Sequence, residues 1–87
     1  MKAVITVVGE DKTGIIAKVS NLLYENNINI LDISQTIMDT MFTMIMMVEM
    51  SNADTKKVND ELEKIADEMG LSIHLQNEKV FRSMHRI

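Results

Sequence analysis

A run of β-branched residues that ends at a glycine and leads into a helical pattern constrains this chain most. The run Val4–Val8 is wholly apolar except for one threonine, and Gly9 follows it. β-Branched residues pack well on a pleated surface, so we predict a central strand over Lys2–Val8. After a short polar loop, apolar residues recur at helical spacing and predict a helix from about Gly14 to Asn26. These apolar residues are Ile15, Val19, Leu22 and Leu23.

The corner between this strand and this helix is a place where a small polar ligand can bind. The first backbone N–H groups of a helix have no partner within it, and the helix dipole favours an anion there. We expect the N–H groups of Gly14 and Ile15 to meet a carboxylate, and Asp11 to bind an α-ammonium group. Gly9 and Gly14 would let the ligand approach the backbone. A plain connection, in which Asp11 or Thr13 caps the helix, explains the same residues.

The rest of the chain again switches between the two-residue period of a strand and the 3.6-residue period of a helix. Alternating apolar residues predict strands two, three and four. Apolar residues at helical spacing, with Asp54 before them and Gly70 after them, predict helix two. The predicted bounds are Ile30–Asp39, Phe42–Met50, Thr55–Met69 and Leu71–Asn77. This βαββαβ order predicts an α+β fold, a ferredoxin-like sandwich in which a four-stranded antiparallel sheet carries both helices on one face.

Strand three is apolar on both of its sides. The residues at even positions are Phe42, Met44, Met46, Val48 and Met50, whereas the odd positions hold Thr43, Ile45, Met47 and Glu49. The second side is too apolar for a fully solvated surface, which indicates contact with a partner chain. A chain of 87 residues buries only about 60–65 % of its unfolded surface, and this also favours dimerisation.

Composition excludes several classes of protein. The chain contains no cysteine, so disulfides and thiolate ligands are absent. It contains no apolar run near the ~20 residues of a membrane span and no signal-peptide pattern, so we expect a cytoplasmic protein. Residues 1–77 carry six Lys/Arg and twelve Asp/Glu. Such an acidic body disfavours binding to the phosphate backbone of nucleic acids.

Neither metal binding nor catalysis is indicated by the sequence. Six of the nine methionines lie between Met38 and Met50, and their alternation without Cys or His favours adaptable packing over copper binding. His74 and His85 have no metal-ligand spacing around them. No nucleophile elbow or cofactor motif is present, so we expect neither an enzyme nor a cofactor. The basic tail, residues 78–87, is expected to dock on its own sheet or on a partner subunit.

Asn29, at the start of strand two, is a further candidate for ligand binding. Its amide group offers two donors and an acceptor, which suits an amino-acid ligand. An asparagine that only stabilises the turn between helix one and strand two is an equally good interpretation.

Two stretches of the sequence, Val7–Ser20 and Leu22–Gln35, resemble the ACT domain. The Asp-Lys-x-Gly-Ile segment at residues 11–15 and the Asn-Ile-Asn-Ile segment at residues 27–30 carry this resemblance. The similarity covers about residues 1–77. More narrowly, the chain resembles stand-alone single-domain ACT proteins of bacteria and archaea, and the ACT segments of formyltetrahydrofolate deformylase and of the glycine-cleavage repressor.

The resemblance implies a regulatory domain that binds a small molecule, often an amino acid. It implies ligand contacts from Asp11, Gly14 and Ile15, together with Asn29, often across a subunit interface. We therefore expect a non-enzymatic homodimer that binds a small metabolite at its interface, with an unidentified protein partner that responds to binding. The alternative is a ligand-free assembly module that acts through the Ile45 side of strand three and the basic tail.

Overall fold

Seven secondary-structure elements follow one another along residues 1–84, the part of the chain that the computed structural model describes. They are β1 Lys2–Glu10, α1 Ile15–Glu25, β2 Asn29–Met38, β3 Met41–Glu49, α2 Thr55–Met69, β4 Leu71–Asn77 and α3 Glu78–Met84. The predicted βαββαβ order is confirmed, and α3 adds a short helix after it. Residues 85–87 of the basic tail, which include His85, lie outside the described residues.

β1 continues through Gly9 to Glu10, beyond its predicted end at Val8. Gly9 pairs with Phe42 of β3 and with Leu71 of β4, so it belongs to the sheet. A Cβ atom at Gly9 would lie 2.7 Å from Leu71 Cδ2. The glycine therefore lets two strands approach each other. The expectation that Gly9 makes room for a ligand was wrong.

α1 begins at Ile15, and its N-cap residue is Gly14 in the left-handed conformation, with φ of 92°. In the part of the chain that the structure describes, no side chain accepts a hydrogen bond from the first turn, so the interpretation that Asp11 or Thr13 caps this helix was wrong. A capping side chain belongs to the N-cap residue itself, and glycine has none to offer. At the other end, Asn27 adopts a left-handed φ of 59°, as expected of an asparagine at a helix end.

α2 has the two ends that the sequence predicts. The Asp54 carboxylate accepts hydrogen bonds from the N–H groups of Lys56, at 3.1 Å, and Lys57, at 3.3 Å. Gly70 follows the last helical residue with a left-handed φ of 67°. Capping at one end and a left-handed glycine at the other fix the helix to the predicted range.

The four strands form one antiparallel sheet in the order β2-β3-β1-β4. Helices α1 and α2 cover one face of it. The buried residues between helices and sheet are Ala3, Ile5, Val7, Ile15, Val19, Leu22, Leu23, Ile28, Phe42, Met44, Met46, Val48, Met50, Val58, Leu62, Leu71 and Ile73. The predicted alternation of β3 is confirmed, because its even positions are buried while Ile45 is exposed.

Within residues 1–84, the opposite face of the sheet, which we call the open face, carries only α3. This helix contacts β1 and β4. Val4 lies on the open face and is 1 % exposed, whereas Thr6 and Val8 on the same side of β1 are only partly buried. α3 therefore covers one end of the open face and leaves the rest uncovered. No helix within residues 1–84 is long and apolar enough to cross a membrane.

β2 is an edge strand that the helices do not cover. Apart from the partly buried Ile30, all of its residues are exposed, and Ile37 exposes 54 % of its surface. Its pairing with β3 shifts register between Ile30 and Asp32, which leaves Leu31 as a bulge. Asp32 carries the only charge along this strand.

Candidate functional site

The loop between β1 and α1 is held against the turn between β2 and β3. The backbone N–H of Asp11 donates to the carbonyl oxygen of Thr40 at 2.9 Å. Asp39 takes a left-handed φ of 59° in that turn, which joins β2 to β3 with two residues. Because of this hydrogen bond, the start of α1 lies beside the last residues of the edge strand β2.

A groove of about 250 Å³ lies at this junction. It is smaller than the roughly 300–1,000 Å³ pockets of drug-sized ligands, so it suits a small metabolite. The lining residues come from the loop, the first turn of α1 and the ends of β2 and β3. They are Asp11, Lys12, Gly14, Ile15, Ile16, Ala17, Gln35, Ile37 and Phe42. Three of the predicted site residues, Asp11, Gly14 and Ile15, are therefore brought together.

The first turn of α1 offers backbone donors to this groove. Its N–H groups have no partner inside the helix, and no side chain caps them. A Cβ atom added at Gly14 would meet nothing within 4 Å, so the backbone there faces open space. Uncapped N–H groups at the positive end of a helix dipole can bind a carboxylate.

The groove is lined by one acidic and one basic side chain, those of Asp11 and Lys12. Asp11 is exposed, and its carboxylate makes no ion pair within residues 1–84. Lys12 extends towards the end of α2, because a Cβ atom added at Gly70 would lie 3.7 Å from its Nζ atom. The ammonium group thus lies near the negative end of the α2 dipole. The Asp11 carboxylate is therefore available to bind a cationic group of a ligand.

Gln35 lines the groove and was not identified from the sequence. It pairs with Met44, whose buried side chain faces the helices, so Gln35 lies on the helix side of β2 between Ile33 and Ile37. A polar residue in the middle of an apolar side was the signal that could have revealed it. Its amide group can donate to and accept from a bound ligand.

Asn29 lies at the opposite end of the sheet from the groove. It pairs with Glu49 at the far end of β3, six residues before Gln35 along β2. At about 3.3 Å per residue, this separation is roughly 20 Å. One chain alone therefore does not bring Asn29 to the other three predicted residues.

The other polar side chains of the described residues do not gather into a metal-type cluster. Within residues 1–84, no three His, Asp or Glu side chains could hold a metal ion together. His74 is exposed on the open face, where its Nε2 atom lies 3.1 Å from Ser72 Oγ. This pair has neither burial nor an acidic neighbour to make the serine a nucleophile.

Comparison with known proteins gives relatives over the whole length of the chain. A UPF0237 protein of Clostridium acetobutylicum is 53 % identical and covers 100 % of both chains. A UPF0237 protein of Methanocaldococcus jannaschii is 52 % identical over 99 % of this chain and 98 % of that protein. The solved structure of an ACT domain protein from Streptococcus pneumoniae is 41 % identical, covers 93 % of both chains and has a TM-score of 0.80.

Other solved structures share the fold as part of longer chains. A protein assigned as a glycine cleavage system transcriptional repressor is 27 % identical over 86 % of this chain and 44 % of its own, with a TM-score of 0.78. The regulatory subunit of aspartate kinase from Thermus thermophilus is 28 % identical over 86 % of this chain and 50 % of its own, with a TM-score of 0.69. Formyltetrahydrofolate deformylase from Burkholderia mallei, 17 % identical over 87 % of this chain and 28 % of its own, shows the fold alone with a TM-score of 0.82.

The family model described as the ACT domain matches residues 2–76, from the start of β1 almost to the end of β4. This range contains both segments that carry the resemblance in sequence, and the sandwich agrees with it. The chain belongs to the ACT domain family.

Proposed function

We propose that this chain is a regulatory sensor that binds an α-amino acid between two copies of itself. The groove at the start of α1 carries the proposal. An α-amino acid has a carboxylate that fits the uncapped N–H groups after Gly14, and an ammonium group that fits the carboxylate of Asp11. Ile16 and Ile37 supply apolar contact for its side chain. Both charges of the ligand thus find partners in one small groove.

The edge strand β2 supports a homodimer. It is ten residues long, its outer backbone groups are unpaired, and it exposes Leu31, Ile33, Ile37 and Met38. Proteins usually protect such an edge with charges, prolines, bulges or a covering segment. β2 has one charge, Asp32, and one bulge near its start at Leu31, so Ile33–Met38 is left without such protection. Pairing of two β2 strands satisfies the backbone groups and buries the apolar side chains at once.

Two-fold symmetry connects this dimer to Asn29. When two β2 strands pair in antiparallel fashion, the first residues of one strand lie beside the last residues of the other. The last residues of β2 adjoin the groove, as Gln35 and Ile37 show. The first residues of the second copy's β2, Asn29 among them, would therefore lie beside the groove of the first. The wide separation of Asn29 within one chain agrees with a role across the interface.

Binding between two chains gives the domain a way to signal. A ligand that binds only the dimer stabilises it by mass action, and at a hundredfold excess over Kd the effect is about 2.7 kcal/mol. A change in the amount or geometry of the dimer can then be recognised by a partner protein. No catalytic step is needed for this function.

A screen of the twenty amino acids by calorimetry and thermal unfolding tests the ligand. We expect at least one amino acid to raise Tm, and the Asp11→Ala variant to lose this response. Asp67→Ala is a matched control, because Asp67 is exposed on α2 away from the groove. The amino-acid proposal is contradicted if no amino acid raises Tm, or if both variants respond like the wild type.

Mixing two inactive variants tests the shared site. Asp11→Ala and Asn29→Ala should each lose binding, since either change damages both sites of a symmetric dimer. In a mixed dimer, one site receives both alanines and the other receives none. An equal mixture should therefore recover about a quarter of the wild-type sites by calorimetry. Failure to recover any binding would place the site within one chain and contradict the interface.

A further inference from the structure

We propose that the open face of the sheet is a second self-association surface, on which α3 of one copy packs against β3 and β2 of another. This surface is separate from the β2 edge and extends the proposed function from a dimer to a dimer of dimers.

The uncovered part of the open face is apolar at its centre. Ile45 and Met47 of β3 lie on this side of the sheet, where they pair with Thr6 and Val4 of β1. Ser34 and Asp32 of β2 pair with the same two residues on their other side, so Ile45 and Met47 form a small apolar centre with a polar margin. Met47 is only partly buried and Ile45 is exposed, because α3 lies over β1 and β4 instead. Exposed apolar side chains at the centre of a sheet face mark a place where another layer can pack.

The outer surface of the helix layer provides the contrast. The groove between α1 and α2 is lined by Lys18, Glu25, Glu61 and Lys64, together with Asn21, Leu22 and Ile65. Charged side chains of both signs on a surface are typical of contact with water. The helix layer thus presents a solvated surface between α1 and α2, whereas the centre of the open face exposes the apolar side chain of Ile45.

α3 brings the complementary surface. Val80 is 50 % exposed and Met84 is 66 % exposed, so docking on its own sheet leaves these apolar side chains facing outward. Lys79 lies beside Val80 and makes no ion pair within residues 1–84. Opposite this basic helix, Asp32 pairs with Met47 and adds a carboxylate at the margin of the uncovered patch. An apolar ridge with a neighbouring cation thus matches an apolar patch with a neighbouring anion.

These features identify a second copy as the partner. α3 lies over the β1–β4 side of the open face, and the uncovered patch lies towards β3 and β2. A two-fold axis that lies between two stacked open faces, parallel to the strands, sets α3 of each copy over β3 and β2 of the other. Both contacts then form twice, as an isologous interface requires.

The size of the open face is sufficient for such an interface. The described chain measures 35 × 34 × 19 Å, so that it is a slab with two broad faces. Each broad face offers on the order of 1,000 Å², compared with the ~800 Å² per partner of a standard interface. The narrow sides of the slab offer less area, which separates this surface from the β2 edge.

Sedimentation velocity on the full chain tests the proposal. We expect the wild type to sediment as a tetramer. Ile45→Lys and Val80→Lys, which place a cation on either half of the contact, should each halve the mass to a dimer. Tyr24→Lys is the matched control, because Tyr24 is an exposed residue on α1, and it should remain a tetramer. Circular dichroism checks that all variants fold, as expected for substitutions of exposed residues.

Two further results separate this inference from the proposed function. Ile45→Lys and Val80→Lys should keep the amino-acid response, because the groove lies on the other side of the sheet. Ile33→Lys changes the β2 edge, so a tetramer for this variant, beside a dimer for Ile45→Lys, would support the open face and contradict the β2 dimer. If both open-face variants keep the mass of the Tyr24→Lys control, the open-face interface is wrong.

Discussion

The two halves of this domain are built to the same plan, but their helices begin differently. In the half formed by β1, α1 and β2, the helix starts at a left-handed glycine, and no side chain accepts from its first turn. In the half formed by β3, α2 and β4, Asp54 caps the helix with two hydrogen bonds. The first backbone N–H groups of α2 are therefore hydrogen-bonded by the chain itself, whereas those of α1 are available to a ligand.

Burial explains how the first half tolerates an uncapped helix. α1 buries Ile15, Val19, Leu22 and Leu23, whereas α2 buries only Val58 and Leu62. Apolar burial stabilises by about 25 cal/mol per Å², so α1 is held by its packing and α2 depends more on its ends. The half that is better anchored is the half that can leave its backbone donors for a ligand.

The largest effect is expected from removing the packing that anchors α1. Leu23 is fully buried, so Leu23→Ala should lower the free energy of unfolding by about 2–5 kcal/mol. Urea denaturation measures this loss. The neighbouring Tyr24 is exposed, and Tyr24→Ala should change stability by less than about 0.5 kcal/mol. Equal effects of the two substitutions would show that burial does not hold α1 in place.

A smaller loss is expected at the uncapped helix start. Gly14 has φ of 92° and would have no atom within 4 Å of an added Cβ. Gly14→Ala should therefore cost about 1–2 kcal/mol through backbone strain alone. Gly14→Asn should cost less, because asparagine tolerates the left-handed region. If Gly14→Ala has no effect on stability in urea denaturation, α1 is not preceded by a residue in the left-handed conformation.

Removal of the cap should affect the second half by about 1 kcal/mol. Asp54→Ala removes the acceptor of the Lys56 and Lys57 N–H groups, and such losses are typically about 0.5–2 kcal/mol. Urea denaturation of Asp54→Ala and of Asp67→Ala, a carboxylate later in the same helix, gives the comparison. Asp54→Ala should also leave the amino-acid response intact. A lost response would mean that the two helix starts are not independent.

The smallest effect is expected where the first strands of the two halves meet. The Glu49 carboxylate accepts a hydrogen bond from the Met1 ammonium at 2.7 Å and a weaker one from the Ser51 N–H at 3.4 Å. The hydrogen bond from the amino terminus is the main cause that lowers the pKa of Glu49 below its ordinary value of 4.5, and the Ser51 N–H adds to it. A lowered pKa in the folded state favours folding above pH 4.5.

This contribution to stability is lost as the pH falls below 4.5 and through the lowered pKa of Glu49. The Glu49→Gln variant should therefore be slightly less stable than the wild type at neutral pH. Thermal unfolding across this range should show the difference disappear in acid. A difference that persists at low pH would indicate that the ion pair contributes nothing.

In the second half, α2 and β4 could be predicted with their observed bounds because their signals are local. Asp54 before the apolar repeat and Gly70 after it mark both ends of α2, and these ends are observed. β4 alternates without interruption from Leu71 to Asn77, and its range is also confirmed. In each case the residue that marks the boundary acts through its own backbone or side chain.

The first half was harder to predict because its glycines have different roles. Gly9 looks like the end of a strand, yet it lies within β1 and admits Leu71 of a strand more than sixty positions later. Gly14 looks like the first residue of a helix, yet it is the left-handed residue before it. Sequence alone does not distinguish a glycine needed for its φ angle from one needed for close approach.

The candidate site was predicted only where it depends on neighbouring residues in the chain. Asp11, Gly14 and Ile15 follow one another closely, and the groove brings them together. Gln35 joins them through the pairing of β2 with β3, which the sequence does not specify by itself. The position of Asn29 depends on a second chain, so it remains a prediction.

The hydrogen bond from the Asp11 N–H to the Thr40 carbonyl has a consequence for communication. It joins the loop that would hold a metabolite to the tip of the hairpin whose outer strand would meet the neighbouring copy. A signal between the two needs to travel no further than one peptide group. Ligand binding in the loop would then be coupled to pairing of the β2 edge without rearrangement of the sandwich.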